Sequence, residues 1–334
     1  MELLVLSADD VTRALPMADA IEGMKRAFAS LSADRATLPL RTQISVPGGT
    51  APDGGGVSIF MPAFLEESED LAVKVVSVFP DNSRHGLPTI HGLVLVLDAA
   101  NGRPLALLEG GTLTAIRTGA GSGAATDLLA RPESSVVAII GSGTQARTQL
   151  EAICTVRPIR SVRVYSPNQE HARAFAAEML GRGPIPNTIV VTEDVETAID
   201  GADIICTATT SSEPVFPGSL LARGAHVNAV GSFRTDMQEV DVETVRRALV
   251  VVDSYEAALA EAGDLVVPLE AGEIDESHIH GEVGEIVNGQ KEGRRDDKQI
   301  TYFKSVGIAV QDAAAAGIAL TNAREQGLGT VVSL

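Results

Sequence analysis

Val136-Val137-Ala138-Ile139-Ile140-Gly141-Ser142-Gly143-Thr144-Gln145-Ala146 is the stretch that decides the fold. Five apolar residues before a glycine read as a strand buried on both faces. The G-x-G-x-x-A run that follows opens a helix carrying Leu150 and Ile153. A strand before and a helix after are what distinguish a dinucleotide fingerprint from an ordinary tight turn. Gly141 makes the turn, Gly143 lets backbone approach a pyrophosphate, and Ala146 keeps helix and strand close. The helix N-terminus supplies N–H donors and a partial positive charge. Gly141, Ser142, Gly143, Thr144, Gln145 and Ala146 are therefore candidate cofactor-binding residues.

Downstream, apolar runs alternate with helical patterns. A strand over 161–165 precedes a helix at about 169–180, and a strand over 188–191 precedes a helix at about 194–200. Further strands are expected over 203–208, 225–230 and 249–252. Such alternation predicts a doubly wound parallel sheet. Upstream, residues 8–31 read as one helix with an apolar stripe of Ile21, Met24, Ala27, Phe28 and Leu31, and with Pro16 near its first turn. From 37 to 110 the chain reads as strands and turns, with strands over 71–79, 92–97 and 104–108 and a hairpin turn at 98–102. A Gly- and Ala-rich helix is expected over 114–129, and an apolar, Ala-rich one over 305–323. The fold class is α/β, a β-rich first third beside a Rossmann sheet.

The strand after the glycine loop ends at Tyr165-Ser166-Pro167-Asn168. A site selective for NAD usually carries a carboxylate there, about 20 residues on, to hold the ribose 2′-OH. Ser166 removes that repulsion of a 2′-phosphate, and Ser166 and Asn168 could donate to one, although no Arg follows at once. The expected cofactor is NAD(P), with a lean to NADP.

The 334 residues include 26 Lys and Arg against 44 Asp and Glu, a formal charge of −18. A surface this acidic repels nucleic acid and anionic lipid, so neither is expected as a partner. No apolar run approaches the ~18 residues of a membrane span, and the acidic start does not read as a signal peptide. With 3% aromatic residues and no Trp, Ala, Val, Ile and Leu must build the core. Cys154 and Cys206 form no CxxC pair, and Cys206 lies in an apolar run, which fits a reducing cytoplasm. His278 and His280 beside Asp275 and Glu276 are too sparse a pattern for a metal site, and none is expected.

Against so acidic a background, cations inside apolar segments stand out. Lys74 interrupts 71–76 and at period two shares a face with Ala72 and Val76; Arg117 precedes a helix of small residues. A charge on a buried face is expensive unless paired, and a guanidinium can grip a carboxylate with two parallel bonds. These residues alone leave three readings open: substrate ligands, internal salt bridges, or snorkelled surface cations. Arg84, His85 and Arg234 would suit a second carboxylate, although exposed loop cations are the simpler reading.

Longer runs carry a resemblance. Asn228-Ala229-Val230-Gly231-Ser232-Phe233-Arg234-Thr235-Asp236-Met237-Gln238-Glu239, then Asp253-Ser254-Tyr255-Glu256-Ala257-Ala258 with Glu261-Ala262-Gly263-Asp264, lead to Gly281-Glu282-Val283-Gly284-Glu285-Ile286 and Thr301-Tyr302-Phe303-Lys304-Ser305-Val306-Gly307. Upstream stand Met61-Pro62-Ala63, Val73-Lys74-Val75 and Thr114-Ala115-Ile116-Arg117-Thr118-Gly119-Ala120. In this order and spacing the chain resembles, nearly end to end, the ornithine cyclodeaminase/μ-crystallin family. That family includes cyclodeaminases, archaeal alanine dehydrogenase, a ketimine reductase and reductases of cyclic imino acids.

The resemblance implies a homodimer. It also implies a substrate-binding and dimerisation domain over 1–118, a Rossmann domain over 119–304, and a C-terminal helix over 305–334 that returns to the first domain. It assigns Arg41, Lys74 and Arg117 to the substrate carboxylate. Apart from the resemblance, Lys74 is the catalytic candidate as a proton donor, if burial lowers its pKa. It adds cofactor contacts at Thr118, Thr207, Ala208, Thr209, Val230, Gly231, Ser232, Ser305, Val306 and Gly307. Cyclodeaminases carry acids at the places of Ile59 and Phe233, and this chain has neither. The implied function is an NAD(P)H-dependent reductase of a small imino acid or ketimine, or the reverse amino acid dehydrogenase. A cyclodeaminase and a non-catalytic NADP-dependent binding protein are the alternatives.

Overall fold

The computed structural model describes residues 2–48 and 55–334. Met1–Arg117 with Ala309–Leu334 form one compact unit, and Thr118–Ile308 form a second.

The first unit contains strands β1 (Glu2–Leu6), β2 (Ala36–Thr37), β3 (Thr42–Pro47), β4 (Gly55–Leu65), β5 (Asp70–Val78), β6 (Ile90–Asp98) and β7 (Pro104–Glu109), with helices α1 (Ala8–Ala14) and α2 (Met17–Ser32). β4 to β7 make an antiparallel meander. The turn between β6 and β7 closes where Gly102, at φ +74°, donates its N–H to Asp98 O over 2.7 Å. Lys74 lies in the middle of β5, opposite Met61 of β4 and Val94 of β6.

The helix expected over 8–31 is two helices. Pro16 has no N–H to continue α1 and sits in an extended conformation (φ −57°, ψ 143°) as the N-cap of α2. Ser7 starts α1 with a reciprocal cap, accepting from Asp10 N while the Asp10 carboxylate accepts from Ser7 N. Helix α3 (Gly110–Leu129) begins one turn earlier than the sequence pattern and carries Arg117.

The second unit continues with β8 (Val136–Ile140), α4 (Thr144–Val156), β9 (Ser161–Tyr165), α5 (Gln169–Met179), β10 (Ile189–Val191), α6 (Val195–Ile199), β11 (Ile204–Thr207), β12 (His226–Ala229), α7 (Val242–Arg247), β13 (Ala248–Val252), α8 (Tyr255–Glu261), α9 (Gly263–Glu270), β14 (Ile279–Glu282), α10 (Val283–Val287) and β15 (Ile300–Lys304). All its strands pair in parallel, in the order β10-β9-β8-β11-β12-β15-β13-β14. This is the doubly wound sheet that the strand–helix alternation predicts. Ala138 and Ile140 pack into one core cluster while Val137 and Ile139 pack into another, so helices cover both faces. That is why β8 reads as an unbroken apolar run. β14 and β15 were not expected as strands. The strand order reverses between β8 and β11, and in open α/β sheets ligands bind beyond the carboxyl ends of the strands at such a point.

The chain then returns to the first unit as α11 (Ala309–Gln326) and β16 (Thr330–Ser333), which pairs with β1. The last helix was expected from 305, but it starts at Ala309. Gly307 takes φ +81°, and the N–H groups of Val306 and Gly307 donate to Asp253 rather than into a helical turn. Among the described residues no helix is long and apolar enough to cross a membrane.

Candidate active site

In the second unit the glycine loop follows β8. Gly141 takes φ +109°, and a Cβ there would stand 2.4 Å from Ala208 O, so only glycine fits. Gly143 is the N-cap of α4; no side chain caps the helix, and a Cβ at Gly143 would meet no atom within 4 Å. The loop is held from behind by Arg147, whose Nη1 donates to Ser142 O and Gly143 O, each over 2.9 Å. The other edge of that guanidinium grips Glu178, and the Phe175 ring lies 5.6 Å beneath it. Gln145 Oε1 and Thr207 Oγ1 are buried without a hydrogen-bond partner. An open helix N-terminus and two orphaned polar atoms after adjacent parallel strands fit a dinucleotide.

Ser166 is nearly buried at the end of β9. Asn168 caps α5, its Oδ1 accepting from Glu170 N and His171 N, so its carbonyl is used within the fold. Other cofactor candidates are organised by buried acids that the sequence reading gave no role. Glu239 accepts from Thr209 N (2.6 Å), Thr209 Oγ1 (2.8 Å), Gly231 N (2.6 Å) and Ser232 N (3.3 Å). It thereby draws the loops after β11 and β12 together, and a Cβ on Gly231 would come within 2.1 Å of Thr209 O. Asp253 does the same for the loop after β15, accepting from Ser305 Oγ, Val306 N and Gly307 N over 2.8–2.9 Å. Asp264 accepts from Glu239 N and Val240 N and pairs with Lys304 at 2.7 Å. Burial raises the Glu239 and Asp253 carboxyls above their ordinary values. The signal was an acid within each quoted run. The N–H groups of Thr209, Gly231, Ser232, Val306 and Gly307 are committed to these carboxylates, and Gln149 donates to Thr118 O. Ala208 and Val230 lie just beyond the carboxyl ends of β11 and β12.

In the first unit the structure brings the substrate candidates together. Lys74 and Arg117 are 3% and 6% exposed, and both meet Asp312 of α11, which is 1% exposed. Lys74 Nζ stands 2.7 Å from Asp312 Oδ2, and Arg117 Nε stands 3.0 Å from Asp312 Oδ1. Arg117 Nη1 also donates to Gln311 Oε1 over 3.1 Å. Arg41 is half-buried and near enough for its charge to act on Lys74. Burial, opposed by Asp312 and assisted by Arg117 and Arg41, lowers the Lys74 ammonium to about 8. Two cations facing one anion leave the buried cluster with one positive charge. An internal ion pair is therefore part of the arrangement, but it leaves charge over for an anionic ligand. Asp312 was missed because nothing in an Ala-rich helix marks which acid turns inward.

Of the remaining candidates, Arg84 pairs with Asp81 and Arg234 with Asp236, both in exposed positions. His85 is exposed, His278 is bound to Asp275, and His280 Nε2 contacts Glu292 O. Among the described residues no three groups could hold a metal ion. Ile59, opposite Val76, lies on the β4 face that Met61 shares, so no acid joins Lys74 there. A cavity of about 470 Å³ in the same unit is lined by Asp19, Glu22, Glu67 and Asp70 against Arg26, a balance that repels carboxylates.

Residues 1–327 match the model of the ornithine cyclodeaminase/mu-crystallin family. The Delta(1)-pyrroline-2-carboxylate reductase of Bacillus cereus is 43% identical over 331 residues, with 99% of each chain covered. The structure of the Thermococcus litoralis Delta(1)-pyrroline-2-carboxylate reductase with NADH and L-proline superposes with a TM-score of 0.91 at 46% identity, covering 98% of this chain and 99% of that one. An archaeal alanine dehydrogenase dimer with bound NAD gives 0.89 at 33% identity over the whole of both chains. With a model matched over nearly its full length and relatives this similar, the chain belongs to the ornithine cyclodeaminase/mu-crystallin family.

Proposed function

We infer that this chain is an NAD(P)H-dependent reductase of a small imino acid, with Δ1-pyrroline-2-carboxylate as the substrate and proline as the product. The observation that carries this is the buried Lys74–Arg117–Asp312 cluster, one positive charge kept inside a protein of net charge −18. A substrate carboxylate neutralises it, and Arg117 and Lys74 with Arg41 fix the adjacent C=N bond in one orientation. A reduced nicotinamide dinucleotide, when bound by the second unit, supplies the hydride for the imine carbon. Gly143, Thr144 and Gln145 offer its pyrophosphate the N-terminus of α4, while Thr207 and Ser166 add polar side chains. Lys74, still an ammonium up to about pH 8, holds the proton that the amine nitrogen needs.

The absence of carboxylates at Ile59 and Phe233 supports reduction over cyclodeamination, which must orient two amines. Arg84 and Arg234, each neutralised by its own neighbour, support a monocarboxylate over iminosuccinate. Ser166 in place of an acid supports use of NADPH as well as NADH. Ile44, Val46, Ile90 and Leu93, exposed on the first unit's sheet, support a homodimer, and two buried free thiols support a reducing cytoplasm.

A panel of pyrroline- and piperideine-2-carboxylate, pyruvate with ammonium, and iminosuccinate, each with NADH and NADPH, tests this reading. Net loss of reduced-nicotinamide absorbance, fastest with pyrroline-2-carboxylate, is expected. Ammonia released from ornithine with no net cofactor change would replace the reading with a cyclodeaminase. Tight cofactor binding without any turnover would replace it with a binding protein.

A further inference from the structure

We propose that Asp312 is the positioning residue of this site, holding Arg117 by its Nε side and Lys74 by its ammonium so that both are presented, charged, to the substrate carboxylate. The proposal rests on the reductase reading. Asp312 is the fourth residue of α11 and 1% exposed, and each carboxylate oxygen takes one cation, Oδ2 at 2.7 Å from Lys74 Nζ and Oδ1 at 3.0 Å from Arg117 Nε. A guanidinium has five N–H donors. Asp312 occupies Nε–H and Gln311 occupies one on Nη1, so three remain, including the pair on Nη2. Gripping the guanidinium from its Nε side turns that remaining edge toward a ligand and blocks rotation about the last side-chain bond.

The same carboxylate governs the charge of Lys74. The groups acting on the lysine are Asp312 from α11, Arg117 from α3, and Arg41 from the segment before β3; β4 and β6 oppose it with Met61 and Val94, which do not titrate. Without Asp312 a buried ammonium would share its site with two guanidinium charges and no anion, and would lose its proton more easily. Asp312 therefore maintains the charged Lys74 that grips the carboxylate and supplies the proton.

An ion pair that only fastened α11 to the sheet would affect stability and nothing else, so the deciding quantity is a pH profile. In Asp312→Asn, with cofactor saturating, the pH above which kcat/KM falls should drop by at least one unit. The variant should then lose about fivefold or more at pH 8 relative to wild type and recover much of it at pH 6. A lowered Tm with the alkaline limb in its wild-type place would overturn the proposal. Should Asp312→Asn not fold, Gln311→Glu adds a carboxylate at the other contact of Arg117 and should raise the limb; an unmoved limb overturns the proposal equally. Trace acetylation of Lys74 by acetic anhydride across pH, read by mass spectrometry, measures the same titration without turnover. A wild type that reduces no imino acid would refute the reductase reading, while this labelling would still decide the role of Asp312.

Discussion

Replacing Gly143 with Val should abolish dinucleotide binding and leave the fold almost untouched. Gly143 has φ −79° and ψ −173°, a conformation open to any residue, and a Cβ there meets nothing within 4 Å. The cost to the folded state is that of a poor N-cap, up to about 1 kcal/mol. With an unfolding entropy of about 2.1 cal/mol/K per residue, or about 0.7 kcal/mol/K over the chain, Tm should fall by only about 1–2 °C. The isopropyl group, however, fills the space through which a pyrophosphate approaches the first turn of α4. Losing even one charge-assisted hydrogen bond, worth about 1.5–3 kcal/mol, weakens binding by about 10- to 150-fold. Gly141→Ala is the contrasting case. At φ +109° and with Ala208 O 2.4 Å from the new Cβ, it should cost about 1–3 kcal/mol and lower Tm further than Gly143→Val does. NADH titrations by calorimetry, beside thermal melts of both variants, provide the readings. A folded Gly143→Val protein with an NADH Kd within threefold of wild type would refute the assignment of this loop.

Three further outcomes are expected. Arg117→Met removes one partner of a buried pair, so it should destabilise the fold by about 3–5 kcal/mol and also lower kcat/KM by roughly 10²-fold with cofactor affinity retained; melts with near-normal kinetics in the surviving fold would reduce Arg117 to a structural role. Ser166→Asp should favour NADH over NADPH by restoring a 2′-OH partner that repels a 2′-phosphate, and an unchanged ratio of the two Kd values would show that the loop lies elsewhere. In wild type, kcat/KM should fall about tenfold per pH unit above about 8 as Lys74 loses its proton. Because its folded value lies below the ordinary 10.5, the unfolded chain binds the extra proton between the two, and the Lys74 contribution to stability rises over that window. The rate should therefore decline without Lys74-driven unfolding, and a profile flat through two units above pH 8 would exclude Lys74 as the charged group.

Features written in neighbouring residues were legible without the structure. β8 shows as an apolar run because both its faces are covered, and the glycine loop shows because a tight turn and a close backbone approach demand glycine at Gly141 and permit it at Gly143. Lys74 shows because a charge breaks a buried pattern. What escaped depends on partners far along the chain. β15 enters the middle of the second sheet between β12 and β13, and its Lys304 is acceptable there only because Asp264, 40 residues away, neutralises it. Glu239 and Asp253 look like surface acids until the fold closes three loops around them. Asp312 lies 195 residues from Arg117, and only the packing of α11 against the sheet of the first unit turns it inward to meet both cations. Local periodicity specifies an element and its buried face, whereas the pairing of buried charges is settled by desolvation, which exists only once distant segments have excluded water together.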